Sequence, residues 1–174
     1  IAAGITVAQL KHWLGDLPVV RCMPNTPAMV QAGATGLYAE PAVSAEQREL
    51  AGQILGSVGL TFWFEAEAML DAVTAVSGSG PAYFFLMMES MISAAVDLGL
   101  DEHTARQLVL QTAWGAAQLA ITSESGPDVL RQQVTSPGGT TAAALQVFED
   151  AGFRALVDQA LTAAHHRARE LSSP

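Results

Sequence analysis

Three short loops of small and hydroxyl-bearing residues carry most of the chemistry that this sequence offers. The first is a Ser-Pro-Gly-Gly-Thr-Thr segment that leads directly into an alanine-rich helical stretch. The consecutive Gly138 and Gly139 would let the backbone approach a ligand, and the first N–H groups of a helix are free to donate. With hydroxyls at Ser136, Thr140 and Thr141, the loop could bind a small anion such as a carboxylate. The same pattern also suits a plain Ser/Thr helix cap that needs no ligand.

The second loop is the Ser-Gly-Ser-Gly-Pro segment at residues 77–81. It contains Gly-x-Gly but lacks the complete dinucleotide-binding fingerprint, and no strand clearly precedes it. Taken alone, this pattern favours a hinge or the start of a helix over a ligand-binding loop.

The third loop, Met23-Pro24-Asn25-Thr26-Pro27, follows the carboxyl end of a short apolar strand. In open parallel sheets ligands bind at that edge. Two prolines would hold Asn25 and Thr26 rigidly, which suits a binding loop better than a tolerant linker.

Other reactive side chains are sparse and show no catalytic or metal-ligand spacing, so no metal site is expected. Surface positions are favoured for His12, His103, His165 and His166, and a core position for Cys22. As the single cysteine, Cys22 also excludes an intramolecular disulfide.

Composition restricts the partners. Acidic residues outnumber basic ones 17 to 8, giving a net charge of −9. Such a surface repels phosphate backbones, so neither nucleic acid nor a membrane is an expected partner. With 50% hydrophobic and 14% charged residues, the chain should fold around a substantial core. We find no transmembrane run or signal-peptide pattern and expect a cytoplasmic location.

Residues 1–64 alternate between helical and strand-like segments. Capping boxes at Thr6–Gln9 and Ser44–Gln47 predict two helices. Short apolar runs predict strands at 17–23, 34–39 and 60–64. Strands separated by helices favour a parallel α/β sheet, and three short strands alone would make a marginal one.

Residues 65–174 predict helices only. Two of them, at about 82–98 and 101–122, are apolar on nearly every side and must therefore be buried on nearly every side. A helical half of this size cannot easily enclose both, so the pattern favours an obligate, interlocked homo-oligomer. The alternative is an unusually large monomeric core.

The order of these motifs resembles one family, pyrroline-5-carboxylate reductase. The resemblance is carried by Val20–Pro27, Asp71–Tyr83 and Val134–Thr141 and extends along essentially the whole chain. It implies reduction of Δ1-pyrroline-5-carboxylate to L-proline with NADPH or NADH, the last step of proline biosynthesis. The implied fold is an α/β remnant of a Rossmann-type parallel sheet in residues 1–64, followed by an all-helical dimerisation and substrate-binding domain in 65–174. The expected assembly is a homodimer, which can associate further into a decamer.

The resemblance also assigns roles at the substrate side. The substrate carboxylate would be received by Ser136 and by the backbone of Gly139 and Thr140, with Gly138 in the same substrate-binding turn. Thr141 would act as the catalytic residue by offering its hydroxyl to the ring nitrogen. Glu124 is a weaker candidate for a contact near that nitrogen, and an exposed helix-end acid is its alternative reading.

At the cofactor side, the resemblance places Met23, Pro24, Asn25, Thr26 and Pro27 beside the nicotinamide. Ser77, Gly78 and Gly80 would line the same crevice.

One departure from the family is marked. The Gly-x-Gly-x-x-Gly/Ala turn that holds the cofactor pyrophosphate is absent, so the chain resembles the C-terminal two-thirds of a member, too truncated to be active alone. A non-catalytic dimerisation fragment and another Rossmann-plus-helices dehydrogenase remain alternatives. The sequence leaves open the preference between NADPH and NADH, the oligomer size beyond the dimer and feedback inhibition by proline.

Overall fold

A computed structural model describes residues 3–172, and the chain divides into two compact units. The first, here called the sheet unit, comprises the residues up to Tyr83 together with those from Asp158 onward. The second, the helical unit, is Phe84–Val157.

The sheet unit is built on three strands in the order β1-β2-β3. These are β1 Val20–Met23, β2 Gly33–Ala39 and β3 Gly59–Trp63, each close to its predicted position. β2 and β3 are parallel, with Gly33 opposite Gly59, and a helix connects them as expected.

The expectation of a wholly parallel sheet is wrong for the other pair, because β1 runs antiparallel to β2 with Val20 opposite Ala39. Only a short stretch containing a 3₁₀ turn, Thr26–Val30, separates these strands. A parallel pairing needs a longer crossover, whereas a short connection can return the chain in the antiparallel sense.

The two capping boxes are confirmed. Thr6 and Gln9 exchange hydrogen bonds at the start of α1 (Val7–Leu14), and Ser44 and Gln47 do so at the start of α2 (Ala45–Gly56). Because both signals are local, the helix starts were predictable from the sequence.

Two carboxylates tie α1 and the sheet together. The Oε1 atom of Glu67 accepts from the Val7 backbone N–H at 2.8 Å and from the Arg21 guanidinium at 2.9 Å. Glu40 accepts from Lys11 Nζ at 2.9 Å and from the Val19 N–H at 3.0 Å. Each carboxylate therefore bonds a backbone donor as well as a cation.

The core of the sheet unit lies where the short helix α3 (Met69–Val73) packs on β2. Leu37 of β2 and Leu70 of α3 are fully buried. A π-helical turn, Thr74–Gly78, continues directly from α3. Neither α3 nor this turn was predicted, because the segment contains no helix cap signal before its Ser/Gly run.

Past residue 65 every regular element of the described residues is helical, as expected. These are α4 Gly80–Asp97, α5 Glu102–Thr122, α6 Pro127–Gln133, α7 Thr140–Asp150 and α8 Phe153–Ser172. Asp101 caps α5 through the Thr104 N–H, as its position predicts.

The apolar faces of α4 and α5 are not covered by the other residues that the structure describes. Phe84 and Phe85 of α4 are 68% and 61% exposed, and Trp114 and Ile121 of α5 are 61% and 77% exposed. The burial that the sequence pattern requires is therefore not supplied by a single copy.

Two absences are findings for residues 3–172 alone. No helix there is long and apolar enough to cross a membrane. Nor does that part of the chain bring three His, Cys, Asp or Glu side chains together as metal ligands.

We predict that Gly36→Ala destabilises the chain by about 1–2 kcal/mol, because overpacking a well-filled core costs energy of this order. A Cβ at Gly36 would lie 2.8 Å and 2.9 Å from the two γ-methyls of Val73 and 3.0 Å from a Leu70 methyl, so α3 must move. Urea unfolding followed by circular dichroism measures the change.

Gly56→Ala is the matched control, because a Cβ at this helical position meets open space. It should leave the unfolding midpoint unchanged or raise it slightly. Equal midpoints for both variants would contradict the packing of α3 on β2.

Candidate functional site

The 136–141 loop forms a glycine turn that opens onto the N-terminus of α7. The Gly139 N–H donates to the Ser136 carbonyl at 3.1 Å, and Gly138 between them has a φ of +72°, which favours glycine. Gly139 is the N-cap residue of α7, and no side chain caps the helix. The plain Ser/Thr cap is therefore not the arrangement found.

The hydroxyls of this loop have no partner within residues 3–172. Neither Ser136, Thr140 nor Thr141 donates a side-chain hydrogen bond there, whereas the neighbouring Thr135 hydroxyl bonds the Arg131 carbonyl. Ser136 Oγ lies close to the Cα of Gly139, since a Cβ on that glycine would be 2.5 Å from it. The turn thus presents free hydroxyls beside the unpaired N–H groups of a helix start, a donor set that suits a small anion.

Glu124 lies in the turn between α5 and α6 and is exposed. The Ser125 N–H bonds the Ser123 hydroxyl at 3.0 Å and shapes that turn. No hydrogen bond or ion pair among the described residues joins Glu124 to the 136–141 loop, so its role stays a prediction.

Within the sheet unit, two of the predicted cofactor segments lie against each other. Asn25 Nδ2 donates to the Ser77 carbonyl at 3.1 Å. The Met23 side chain packs on Gly78, where an added Cβ would lie 2.6 Å from the Met23 methyl. The structure therefore brings residues 23–27 into contact with the segment that begins at Ser77.

The 77–81 segment is helical, which agrees with a helix start and not with a hinge. Ser77 and Gly78 close the π-helical turn, in which the Ser79 N–H bonds the Thr74 carbonyl at 2.8 Å. α4 begins at Gly80. This residue is buried, yet a Cβ added to it would meet no other atom within 4 Å. Single π turns inserted in helices are frequent at functional sites.

An apolar cavity of about 410 Å³ lies beside this turn in the sheet unit. Sequence reasoning did not identify it. Its lining comes from β2, β3 and the residue that follows it, α3 and the π-helical turn, namely Ala34, Gly36, Phe62, Phe64, Met69, Ala72, Val73, Val76 and Ser77. The alternation of Phe62 and Phe64 is the sequence signal for an apolar sheet face that could have indicated it.

Comparison with known families gives one match. The family model described as pyrroline-5-carboxylate reductase dimerisation matches residues 67–171. This region includes the π-helical turn, all of α4–α7 and the 136–141 loop.

Among curated proteins, a pyrroline-5-carboxylate reductase of Pseudomonas aeruginosa is 60% identical over 173 residues, covering 99% of this chain and 63% of its own length. That of Haemophilus influenzae is 45% identical over 175 residues, covering 99% and 65%. The chain thus spans a little under two thirds of the length of these relatives.

Two solved structures are similar. A pyrroline-5-carboxylate reductase of Coxiella burnetii has a TM-score of 0.94 at 48% identity and covers 100% of this chain and 65% of its own. A pyrroline carboxylate reductase of Plasmodium falciparum, solved with NADP bound, has a TM-score of 0.91 at 32% identity, covering 98% and 65%.

Cys22 lies in β1, one residue before the 23–27 loop, and burial raises the pKa of its thiol. We predict that iodoacetamide modifies the folded chain at pH 8 about tenfold more slowly than the urea-unfolded chain, because the thiolate is the nucleophile. The folded state holds the proton more tightly, so this thiol's contribution to stability is lost as the pH rises above its unfolded pKa. Mass spectrometry of the alkylated protein measures the rate, and equal rates would assign Cys22 an open, reactive environment.

Proposed function

The chain belongs to the pyrroline-5-carboxylate reductase family, and we propose that it is the substrate-binding and dimerising part of an enzyme that reduces Δ1-pyrroline-5-carboxylate to L-proline with NADPH or NADH. The observation that carries this proposal is the 136–141 turn. It lies within the family match and offers unpaired hydroxyls beside the N-terminus of an 11-residue helix.

The substrate is a cyclic imine that carries a carboxylate. We assign the carboxylate to the start of α7, where the Ser136 hydroxyl and the first backbone N–H groups can donate to it. A helix N-terminus favours an anion even without a cationic side chain. Gly138 and Gly139 leave room for that approach.

The reaction depends more on positioning the substrate against the cofactor than on a strong acid or base. A protonated imine is already electrophilic, and the bound nicotinamide supplies the hydride. Thr141, in the first turn of α7, would hold the ring nitrogen through its hydroxyl. Glu124 is the weaker candidate for a second polar contact near that nitrogen.

For the cofactor, the residues of this chain fit the nicotinamide end. The Met23–Pro27 loop and the turn at Ser77 and Gly78 are in contact, and the Cα of Gly80 faces open space where a ring could approach. The apolar cavity beside them would exclude water from a hydride donor. The chain contains no Gly-x-Gly-x-x-Gly turn for the pyrophosphate.

We further propose that the enzyme is a homodimer in which the exposed apolar faces of α4 and α5 are buried against a second copy. Burying apolar surface contributes roughly 25 cal/mol per Å², so covering these aromatic and aliphatic side chains would strongly favour association. Dimers could assemble into a decamer.

The two halves of the chain would have different roles. Residues 1–64 would complete a nucleotide-binding domain, and residues 65–174 would form the dimerisation and substrate-binding domain. The enzyme would work in the cytoplasm.

The proposed activity is tested with two proteins, the 174-residue chain and a hybrid that places before it the preceding part of the Pseudomonas aeruginosa relative. We expect the hybrid to oxidise NADPH only when pyrroline-5-carboxylate is present, and the shorter chain to be inactive. If the hybrid is a folded dimer without turnover on this imine, the reductase assignment fails and a non-catalytic dimerisation fragment is favoured.

We predict that Thr141→Ala in the hybrid lowers kcat about a hundredfold, the usual order for losing one hydrogen-bond donor at the reacting group. Thr141→Ser, which keeps the hydroxyl, should recover most of the loss. The matched control is Thr122→Ala, because the Thr122 hydroxyl bonds the Gln118 carbonyl at the end of α5. Steady-state kinetics with sedimentation analysis of the dimer measures both effects, and unchanged kcat in Thr141→Ala would remove this hydroxyl from the mechanism.

A further inference from the structure

The junction between the π-helical turn and α4 leaves one carbonyl without its normal helical donor. In a continuous α-helix the Ser77 carbonyl would accept from the N–H of residue 81, but that residue is Pro81 and has no N–H. The next N–H, that of Ala82, donates to the Ser79 carbonyl at 3.0 Å instead. Ser77 is half-buried, and its carbonyl needs a donor from elsewhere in the chain.

Asn25 supplies that donor. Its Nδ2 atom donates to the Ser77 carbonyl at 3.1 Å, and its Oδ1 atom accepts from the Ala34 backbone N–H at 2.9 Å. One side-chain amide therefore joins the loop after β1, the second residue of β2 and the π-helical turn. Both polar atoms of the amide have protein partners, so it is built into the fold.

The same turn is held at two further points. The Tyr83 hydroxyl donates to the Ala75 carbonyl at 3.1 Å, and the Met23 side chain packs on Gly78. The turn therefore has one anchor from α4, one from Met23 at the end of β1 and one from Asn25 in the loop that follows β1. Of these, only the Asn25 anchor replaces a bond that proline removes.

On the basis of the proposed function, we infer that Asn25 is a positioning residue for the nicotinamide site. Its side chain acts through the Ser77 carbonyl. It replaces the hydrogen bond that Pro81 cannot make and so holds the wall of the apolar cavity formed by Val76 and Ser77. Removing the amide would loosen this wall while leaving the 136–141 turn, which lies in the helical unit, intact.

Hydrogen exchange in the 174-residue chain tests the anchor itself. In Asn25→Ala the Ala34 and Ser79 amides should both exchange about fivefold faster, the change expected when one hydrogen bond of ordinary strength is lost. In Asn25→Ala combined with Pro81→Ala, the new N–H at residue 81 can bond Ser77. Ser79 should then return toward its original rate while Ala34 stays fast.

Asn25→Asp is a second variant that keeps the acceptor for Ala34 and loses the donor to Ser77. It should speed exchange at Ser79 alone, and it keeps the test decisive if the alanine variant does not fold. Unchanged exchange at Ser79 in Asn25→Asp, or recovery of both amides in the double variant, would overturn the proposal.

The link to the cofactor is measured as NADPH affinity of the hybrid by fluorescence titration, which does not depend on turnover. Asn25→Asp should weaken NADPH binding about fivefold, and where turnover is present it should raise KM for NADPH but change KM for the imine less than twofold. Unchanged NADPH affinity, or equal rises in both KM values, would reduce Asn25 to a purely structural residue. If the unsubstituted hybrid binds NADPH but is inactive, the proposed reaction is wrong. The titration then still decides the role of Asn25, because it does not require turnover.

Discussion

The apolar surface that one copy of this chain leaves uncovered is the constraint on which the rest of the structure depends. In α5, only Ala105 and Val109 are buried among 21 residues. Isolated helices gain little from their own backbone bonds, so most of their stability must come from packing of their apolar faces. The 136–141 turn is held between α6 and α7 of the same helical unit. With the proposed homodimer, the geometry of this turn would be only as stable as the association that covers the helical unit, and it should depend on protein concentration.

Local signals were sufficient for most of the elements. The capping boxes before α1 and α2, Asp101 before α5 and Pro127 in α6 act within a few residues, so the sequence indicated where these helices start. The direction of β1 was not predictable in this way, because it depends on the path of the chain through the short Thr26–Val30 turn. Spacing does not predict burial on α2 either, since Leu50 and Ile54 are four residues apart on one helix face and both are exposed.

In the candidate site, too, the features that local sequence determines were predictable and those that tertiary packing determines were not. Hydroxyls, glycines and a helix start all lie within six consecutive residues at 136–141, so the sequence alone was enough to predict either an anion-binding turn or a plain helix cap there. The contact between Asn25 and Ser77 joins residues 52 positions apart and follows from tertiary packing. The π-helical turn and its cavity also depend on how α3 packs against β2, where Gly36 allows close approach of Val73 and Leu70.

The sheet unit is discontinuous in the sequence, and this has a consequence for synthesis on the ribosome. Its last part is the end of α8, where the Ser172 hydroxyl reaches Asp71 at 3.4 Å and Leu171 lies against Gly4. The helical unit is continuous, with mostly short-range connections, which favours early folding. The segment from Asp158 onward can therefore join the nascent sheet unit only after the whole helical unit has been translated. During that interval the surface that the end of α8 covers, around Gly4 and Asp71, stays open on the nascent chain.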